Sequence, residues 1–582
     1  MKIYTQNQSK SLYHFRYCAI AITCLILLQA CGGSGGTTTD TPPVINRPVT
    51  MPVNPPKASL TVNCSGAACS AVSPIQYSGN GVGLWQYNNT STQDALIDVD
   101  ILGVTSKNQV TLAFTNGERD TAISVPSIGN NISAELKKNA NLSANFRSEQ
   151  SGTLNHLAVE KHSHDTAHSV MMKRNQASKK NLIEKTPLEK NQTTIQAETN
   201  LAVQRIRAAP TINTQRVWSD SYPSVPVNYI TTNKHVCTLP SGRKVVFWQG
   251  NNTANLTPTI LQYFIDNTCG VSGTFARLNT LLGDFWGANN LYGNIITETA
   301  GIQQDVNIVF LNPVAPTDWA GYFDSKNNFL LSSESDSNQA LVFFINASSI
   351  NQQPDFYLST LTHEATHLIA FYQNTVVRDK SWDNAWLDET VAMMSEDIIV
   401  PATVSYNKMA DMRLPDYLKS GGNISLDNWL YVSDPSIHYD MGATLGVFLN
   451  RRYGLSLYQQ LLTGCTSPAL KDDEYACLNS VIVQNGGLGL ADEFEKMGAS
   501  VFSKASASTG LVGYGFPKVN AGSYTLQAID LSNKFLSKPV DVFSYRSMSQ
   551  TYLNDTVPMG ATRYIRQSVR VPARTRLQVV IK

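Results

Sequence analysis

Between Leu358 and Phe371 the chain reads LSTLTHEATHLIAF, and this stretch restricts the fold more than any other. Pro354-Asp355 supplies a helix start, and Leu358, Leu361, Ala365, Leu368 and Ile369 recur at helical spacing, so a helix is predicted here. An α-helix turns about 100° per residue, so side chains four apart leave almost the same face. His363 and His367 therefore stand one turn apart on one side, a separation that suits two ligands of a tetrahedral zinc. Glu364 lies about 100° round, close enough to reach a water on the same metal but too far round to join the pair. The competing reading is a buried helix with two satisfied histidines and a surface glutamate.

Two histidines and a water leave such a metal one protein ligand short. A third histidine in the metzincin pattern would need Gly and His three and six residues past His367, where the chain has Ala370 and Gln373. The other common solution is a glutamate on a following helix. The chain continues as WDNAWLDETVAMMSEDII, in which Leu387, Val391, Met394 and Ile398 form an apolar stripe. Glu389 projects beside that stripe, with the small Ala392 near it.

H-E-x-x-H followed by W-L-x-E-x-x-A resembles the gluzincin metallopeptidases, and HEATHLIAFYQ with WLDETVAMMSED is most similar to the hyicolysin-type neutral zinc peptidases. The resemblance implies that His363, His367 and Glu389 bind Zn2+ and that Glu364 is the catalytic base of an endopeptidase acting on a protein or peptide. It also implies an α+β zincin, thermolysin-like, with the strand ALVFFINAS (Ala340–Ser348) as the sheet edge along which substrate lies. Downstream, HYDMGATLGVFLNRRYG resembles the segment whose tyrosine steadies the reacting carbonyl oxygen, which places that role on Tyr439, with His438 as the alternative. Glu396 and Asp397 are candidates to orient a metal-bound histidine from behind. Two rival classes stand beside this reading: a zincin-like lipoprotein that binds without turnover, and a zinc hydrolase of a non-peptide bond.

A chain of 582 residues is long for one core, so several domains are expected. The leader has Lys2, Lys10 and Arg16, then CAIAITCLILLQA, too short for a membrane span. Leu28-Gln29-Ala30-Cys31 resembles the bacterial lipobox, which implies lipidation of Cys31 and anchoring in a cell envelope. Gly32 after it favours the outer membrane; an ordinary secretory leader is the alternative. Residues 1–30 are thus read as a lipoprotein signal and 31–56 as a Gly/Thr/Pro-rich tether.

Runs such as ALIDVDIL and QVTLAF give residues 57–144 the pattern of a β-sandwich. Residues 145–208 are polar and read as a flexible linker; His162, His164 and His168 there lack the apolar packing to hold a metal. The zincin domain is expected over 209–503, and 504–582 reads as a C-terminal β-rich segment. Six cysteines beyond the leader fall in close pairs, Cys64 with Cys69, Cys237 with Cys269 and Cys465 with Cys477, which fits disulfides of an exported protein. A net charge of +1 gives no reason to expect a nucleic-acid partner.

Overall fold

The computed structural model describes residues 59–119, 126–128, 171, 173–180, 182 and 210–582, the last without 224, 300, 314–318, 381–384, 428, 430–435, 508 and 541–545. Cys31, the leader, the tether and the three linker histidines lie outside the described residues. The N-terminal strands are β1 (Thr61–Val62), β2 (Ala71–Ser73), β3 (Gln76–Tyr77), β4 (Gly83–Asn88), β5 (Ala95–Leu102), β6 (Gln109–Asn116) and β7 (Ser127–Ile128). A second group is β8 (Gln215–Asp220), β9 (Val227–Thr238), β10 (Lys244–Gly250), β11 (Val306–Leu311), β12 (Gly321–Phe323) and β13 (Leu341–Asn346). After a helical stretch come the short β14 (Val519–Ala521) and β15 (Tyr524–Leu526), then β16 (Ser549–Thr556), β17 (Arg563–Val571) and β18 (Thr575–Ile581).

Alternation builds the sandwich. In β5, Ile97, Val99 and Ile101 are fully buried and the residues between them are not, so one face of the strand meets a core. Its two sheets have the orders β1-β4-β18-β6-β16 and β2-β3-β5-β17-β7. The reading of 504–582 as a separate segment is corrected by this pairing: its last three strands complete the N-terminal sandwich. The physical reason is that neither half can cover its own apolar faces. Trp85, Ile97 and Leu112 share one core with Val569, Leu577 and Val579, and β18 lies antiparallel between β4 and β6.

The outer face of that sheet is covered as well. Val580 of β18 meets Ala499 of the helix Leu490–Phe502 in a second cluster, and Arg576 holds Glu495 of the same helix at 3.2 Å.

The α/β body carries a mixed six-stranded sheet, β12-β13-β11-β10-β9-β8. β10, β11 and β13 run parallel, and β12 pairs antiparallel with β13 at one edge. The edge strand is therefore Gly321–Phe323; Ala340–Ser348, expected at the edge, contains β13 and is one strand further in. Its LVFFIN run is buried on both faces, as an interior strand requires.

Helices α1 (Pro258–Thr268), α2 (Thr274–Leu282) and α3 (Pro354–Ala370) pack with the sheet in the main core. α3 begins at Pro354, with Asp355 in its first turn, and is buried from Phe356 to Ala370. It thus runs through the interior rather than along a surface. α4 (Ala385–Thr403) crosses α3, and α5 (Ser436–Tyr453) packs on α4. Glycines set the α4–α5 approach: a Cβ on Gly446 would sit 2.6 Å from Met394 Cγ, and one on Gly442 would sit 3.0 Å from Thr390 Oγ1.

Disulfides join Cys64 to Cys69, Cys237 of β9 to Cys269 at the end of α1, and Cys465 to Cys477. Among the described residues no helix is long and apolar enough to cross a membrane.

Truncation after Arg574 removes β18 and with it the burial of Leu577, Val579, Val580 and Ile581. At about 1.5–3 kcal/mol per side chain the loss is comparable to the stability of a whole domain. The truncated chain should be cut rapidly within residues 59–128 under limited proteolysis; resistance equal to the full chain would show that β18 is dispensable.

Candidate metal centre

α3 and α4 bring three ligand atoms to one point. His363 Nε2 lies 3.1 Å from His367 Nε2 and 3.1 Å from Glu389 Oε2, and His367 Nε2 lies 3.6 Å from the same oxygen. Among the described residues, His363, His367 and Glu389 are the group whose geometry could hold a metal ion. A zinc with ligands at about 2.0–2.1 Å needs tetrahedral edges of about 3.3 Å, and these separations match. The donor set of two imidazoles and one carboxylate also suits that ion.

The groups behind the ligands fix their orientation. His363 Nδ1 meets Glu396 Oε1 at 2.7 Å. The other Glu396 oxygen accepts from Lys408 Nζ at 3.0 Å and from the Ser359 hydroxyl. His367 Nδ1 lies 3.6 Å from Asp388 Oδ1, and Asp388 in turn lies 3.6 Å from Lys179 Nζ. Each imidazole thus presents Nδ1 to a carboxylate and Nε2 to the centre, the arrangement that supports metal-bound histidine. Glu389 is steadied by Tyr439, whose hydroxyl donates to Oε1 at 3.1 Å.

Electrostatics favours a cation here. Burial opposes charge on both histidines, yet Glu389 and Glu396 outweigh it for His363, and Glu389 and Asp388 for His367, so both pKa values are raised. Burial would also push the Glu396 carboxyl up, but Lys408 and His363 hold it well below the usual carboxylate range. The outer carboxylates come with their own lysines, while Glu389 faces the centre.

Glu364 follows His363 on α3 and is fully buried. Its Oε2 accepts the backbone N–H of Phe323, on edge strand β12, at 2.9 Å. The base candidate is thus tied to the sheet edge and directly follows one of the candidate ligands on α3.

Not every expected residue does. Asp397 is directed away from the histidines and binds Arg451 at 2.8 Å and Asn450 at 3.0 Å. Neighbours on a helix point about 100° apart, so Glu396 and Asp397 could not both face α3. His438 Nδ1 meets the Ser425 carbonyl at 2.8 Å, while Tyr439 beside it reaches Glu389. Sequence reasoning missed Asp388, although it directly precedes Glu389. It also missed Lys408, Lys179 and the Phe323 amide, which no spacing in the chain announces.

Replacing Glu396 by Gln removes the charge behind His363 and should weaken zinc affinity about 10- to 100-fold. Competition with a chromogenic chelator measures this; an unchanged affinity would leave Glu396 a packing role only.

No curated protein matches the chain. A crystal structure of an M1 zinc metallopeptidase from Deinococcus radiodurans is similar at 16% identity, over 50% of this chain and 55% of that one, with a TM-score of 0.27. The chain thus spans about half the length of that protein, and so loose a superposition says nothing about chemistry. A domain of unknown function, DUF8571, matches residues 62–129, the N-terminal part of the sandwich. The Peptidase M30 profile matches residues 228–582, from β9 through the metal centre to the last strand of the sandwich, and the chain belongs to the Peptidase M30 family.

Proposed function

We propose that the protein is a zinc-dependent endopeptidase of thermolysin-like, hyicolysin type, with His363, His367 and Glu389 as ligands and Glu364 as general base. The observation that carries this reading is the convergence of those three ligand atoms, with Glu364 next to His363 on α3 and tied to edge strand β12. When bound, zinc supplies Lewis acidity that makes water a nucleophile near neutral pH.

The chain's own residues do the rest. Phe323 N–H holds one Glu364 oxygen, so the carboxylate is oriented before substrate arrives. Glu364 accepts a proton from the attacking water and delivers it to the departing amine nitrogen. An extended peptide aligns along β12, whose outer backbone groups supply strand-type hydrogen bonds. The Tyr439 hydroxyl, next to Glu389, donates to the oxygen that develops charge; one such donor is typically worth about 3 kcal/mol. A carboxylate placed as Glu364 is has no purpose in a purely structural metal site, which disfavours the non-catalytic alternative.

Glu364→Gln should keep its zinc and lose casein hydrolysis by at least about 100-fold, the usual scale for a general base. Tyr439→Phe should lower kcat by about 100-fold at saturating zinc; a loss of zinc with kcat intact would make Tyr439 only a support for Glu389. We place the protein in the bacterial cell envelope, lipid-anchored through Cys31 at the outer membrane. Cys31→Ser should abolish incorporation of labelled fatty acid, and persistent labelling would remove the anchor.

A further inference from the structure

The metal centre is closed: His363 and His367 are each 3% exposed, and Glu364 and Glu389 are 0% exposed. A hydrolytic centre must meet its substrate, so what packs at the β12 edge bears on access. The helix at residues 173–180, upstream of the α/β body, touches both that edge and α4.

Alternation along the sheet separates two cores. Val306, Ile308 and Phe310 of β11 enter one, while Val309 and Leu311 enter the other. Leu182 is fully buried in the first core and Met171 in the second. The segment from Met171 to Leu182 therefore passes from one face of the sheet to the other, across its β12 edge. Met171, Asn175, Ser178 and Leu182 are the buried positions, spaced four, three and four apart as one helical face requires.

At the crossing, Asn175 takes the backbone of the edge. Its Nδ2 donates to the Phe323 carbonyl at 3.1 Å, and its Oδ1 accepts the Ser325 N–H at 2.8 Å. An antiparallel edge strand turns alternate residues outward. β12 bonds to β13 on its inner side, and Phe323 offers its N–H to Glu364 and its carbonyl to Asn175 on the outer side. One turn on, Lys179 reaches Asp388, the neighbour of Glu389 on α4. The helix thus spans from the sheet edge to the first turn of α4, over the place where an aligned peptide would lie.

We propose that residues 171–182 are an internal plug, which occupies the edge-strand cleft in place of substrate and must leave before a peptide can bind. This rests on the peptidase reading for its consequence, though occupancy of the cleft can be tested without turnover. The probe is a peptide hydroxamate, which takes both the metal and the strand edge. Its affinity is measured by calorimetry for zinc-loaded full-length protein, for the double variant Asn175→Ala with Lys179→Glu, and for a chain lacking residues 171–182.

Hydroxamate affinity should rise at least tenfold in both altered proteins, and KM for a fluorogenic peptide should fall by a similar factor. A synthetic peptide of residues 168–185 should compete with the hydroxamate for the deleted chain. Hydrogen exchange over residues 173–180 shows whether the helix has come off in the double variant, and thermal unfolding shows whether the deleted chain is folded. Equal hydroxamate affinity in a folded deleted chain, or in a double variant with its helix released, overturns the plug. Tighter hydroxamate binding without hydrolysis by any zinc-loaded form supports the plug and overturns the peptidase reading instead.

Discussion

Two helices must cross closely enough for one carboxylate oxygen and two imidazole nitrogens to lie within about one metal-ligand polyhedron of each other, and much of the body serves that demand. α3 is buried on all sides, so its register against α4 is fixed by packing rather than by solvent-facing polarity. α4 carries Asp388, Glu389, Glu396 and Asp397, four buried acids on one helix. Such a helix is tolerable only because the outer three have cations from separate parts of the chain: Lys179, Lys408 and Arg451. Glu389 is the one directed at the centre. Removing Lys408 or Arg451 would leave a buried carboxylate uncompensated on α4, which is why the site depends on residues far from it in sequence.

The sequence made the local parts of this arrangement readable. His363, Glu364 and His367 share a few residues of one helix, so helical periodicity alone brings them together, and Glu389 belongs to the next helix with a recognisable setting of Trp386, Leu387 and Ala392. The three cysteine pairs are likewise close in the chain. What could not be read is non-local. β18 pairs with β4 across more of the chain than separates any other paired strands described, and nothing in TRLQVVI says which strands it will join. Edge strand β12 has three residues, too few for a period-two pattern, so the longer LVFFIN run next to it looked like the better strand. Glu396 and Asp397 differ by one position, and the choice between them rests on a helix rotation that only the packed structure defines.

The sandwich has a consequence for the body. Its two sheets draw strands from before and after the α/β region, so both ends of the described chain are fixed in one module. The helix Leu490–Phe502 then lies on that module: Glu495 meets Arg576, and Gln550 Nε2 donates to the Phe494 carbonyl. α5, whose glycines admit it against α4, also contacts this helix. The helices behind Tyr439 and Glu389 are thus connected by contacts to the sandwich, and the Peptidase M30 match includes its last strands.

A plug built from the same chain needs little net docking energy. About 1.4 kcal/mol in favour of the docked form keeps the cleft occupied ten times as often as open. Burial of Met171 and Leu182 supplies the apolar part, and the largely buried Lys179–Asp388 contact at 3.6 Å supplies the polar part. No strand of the described sheets pairs with the helix. β12 keeps its bonds to β13 on the inner side, and both sheets of the sandwich are made without residues 171–182. Opening is thus a local event at the low end of the stability scale, separable from the global fold. It changes the environment of the centre in a definite way. Asp388 loses its lysine and gains water, and the Phe323 carbonyl is freed for a peptide N–H, while the three ligand atoms keep the supports from Glu396, Lys408 and Tyr439 that hold them in place.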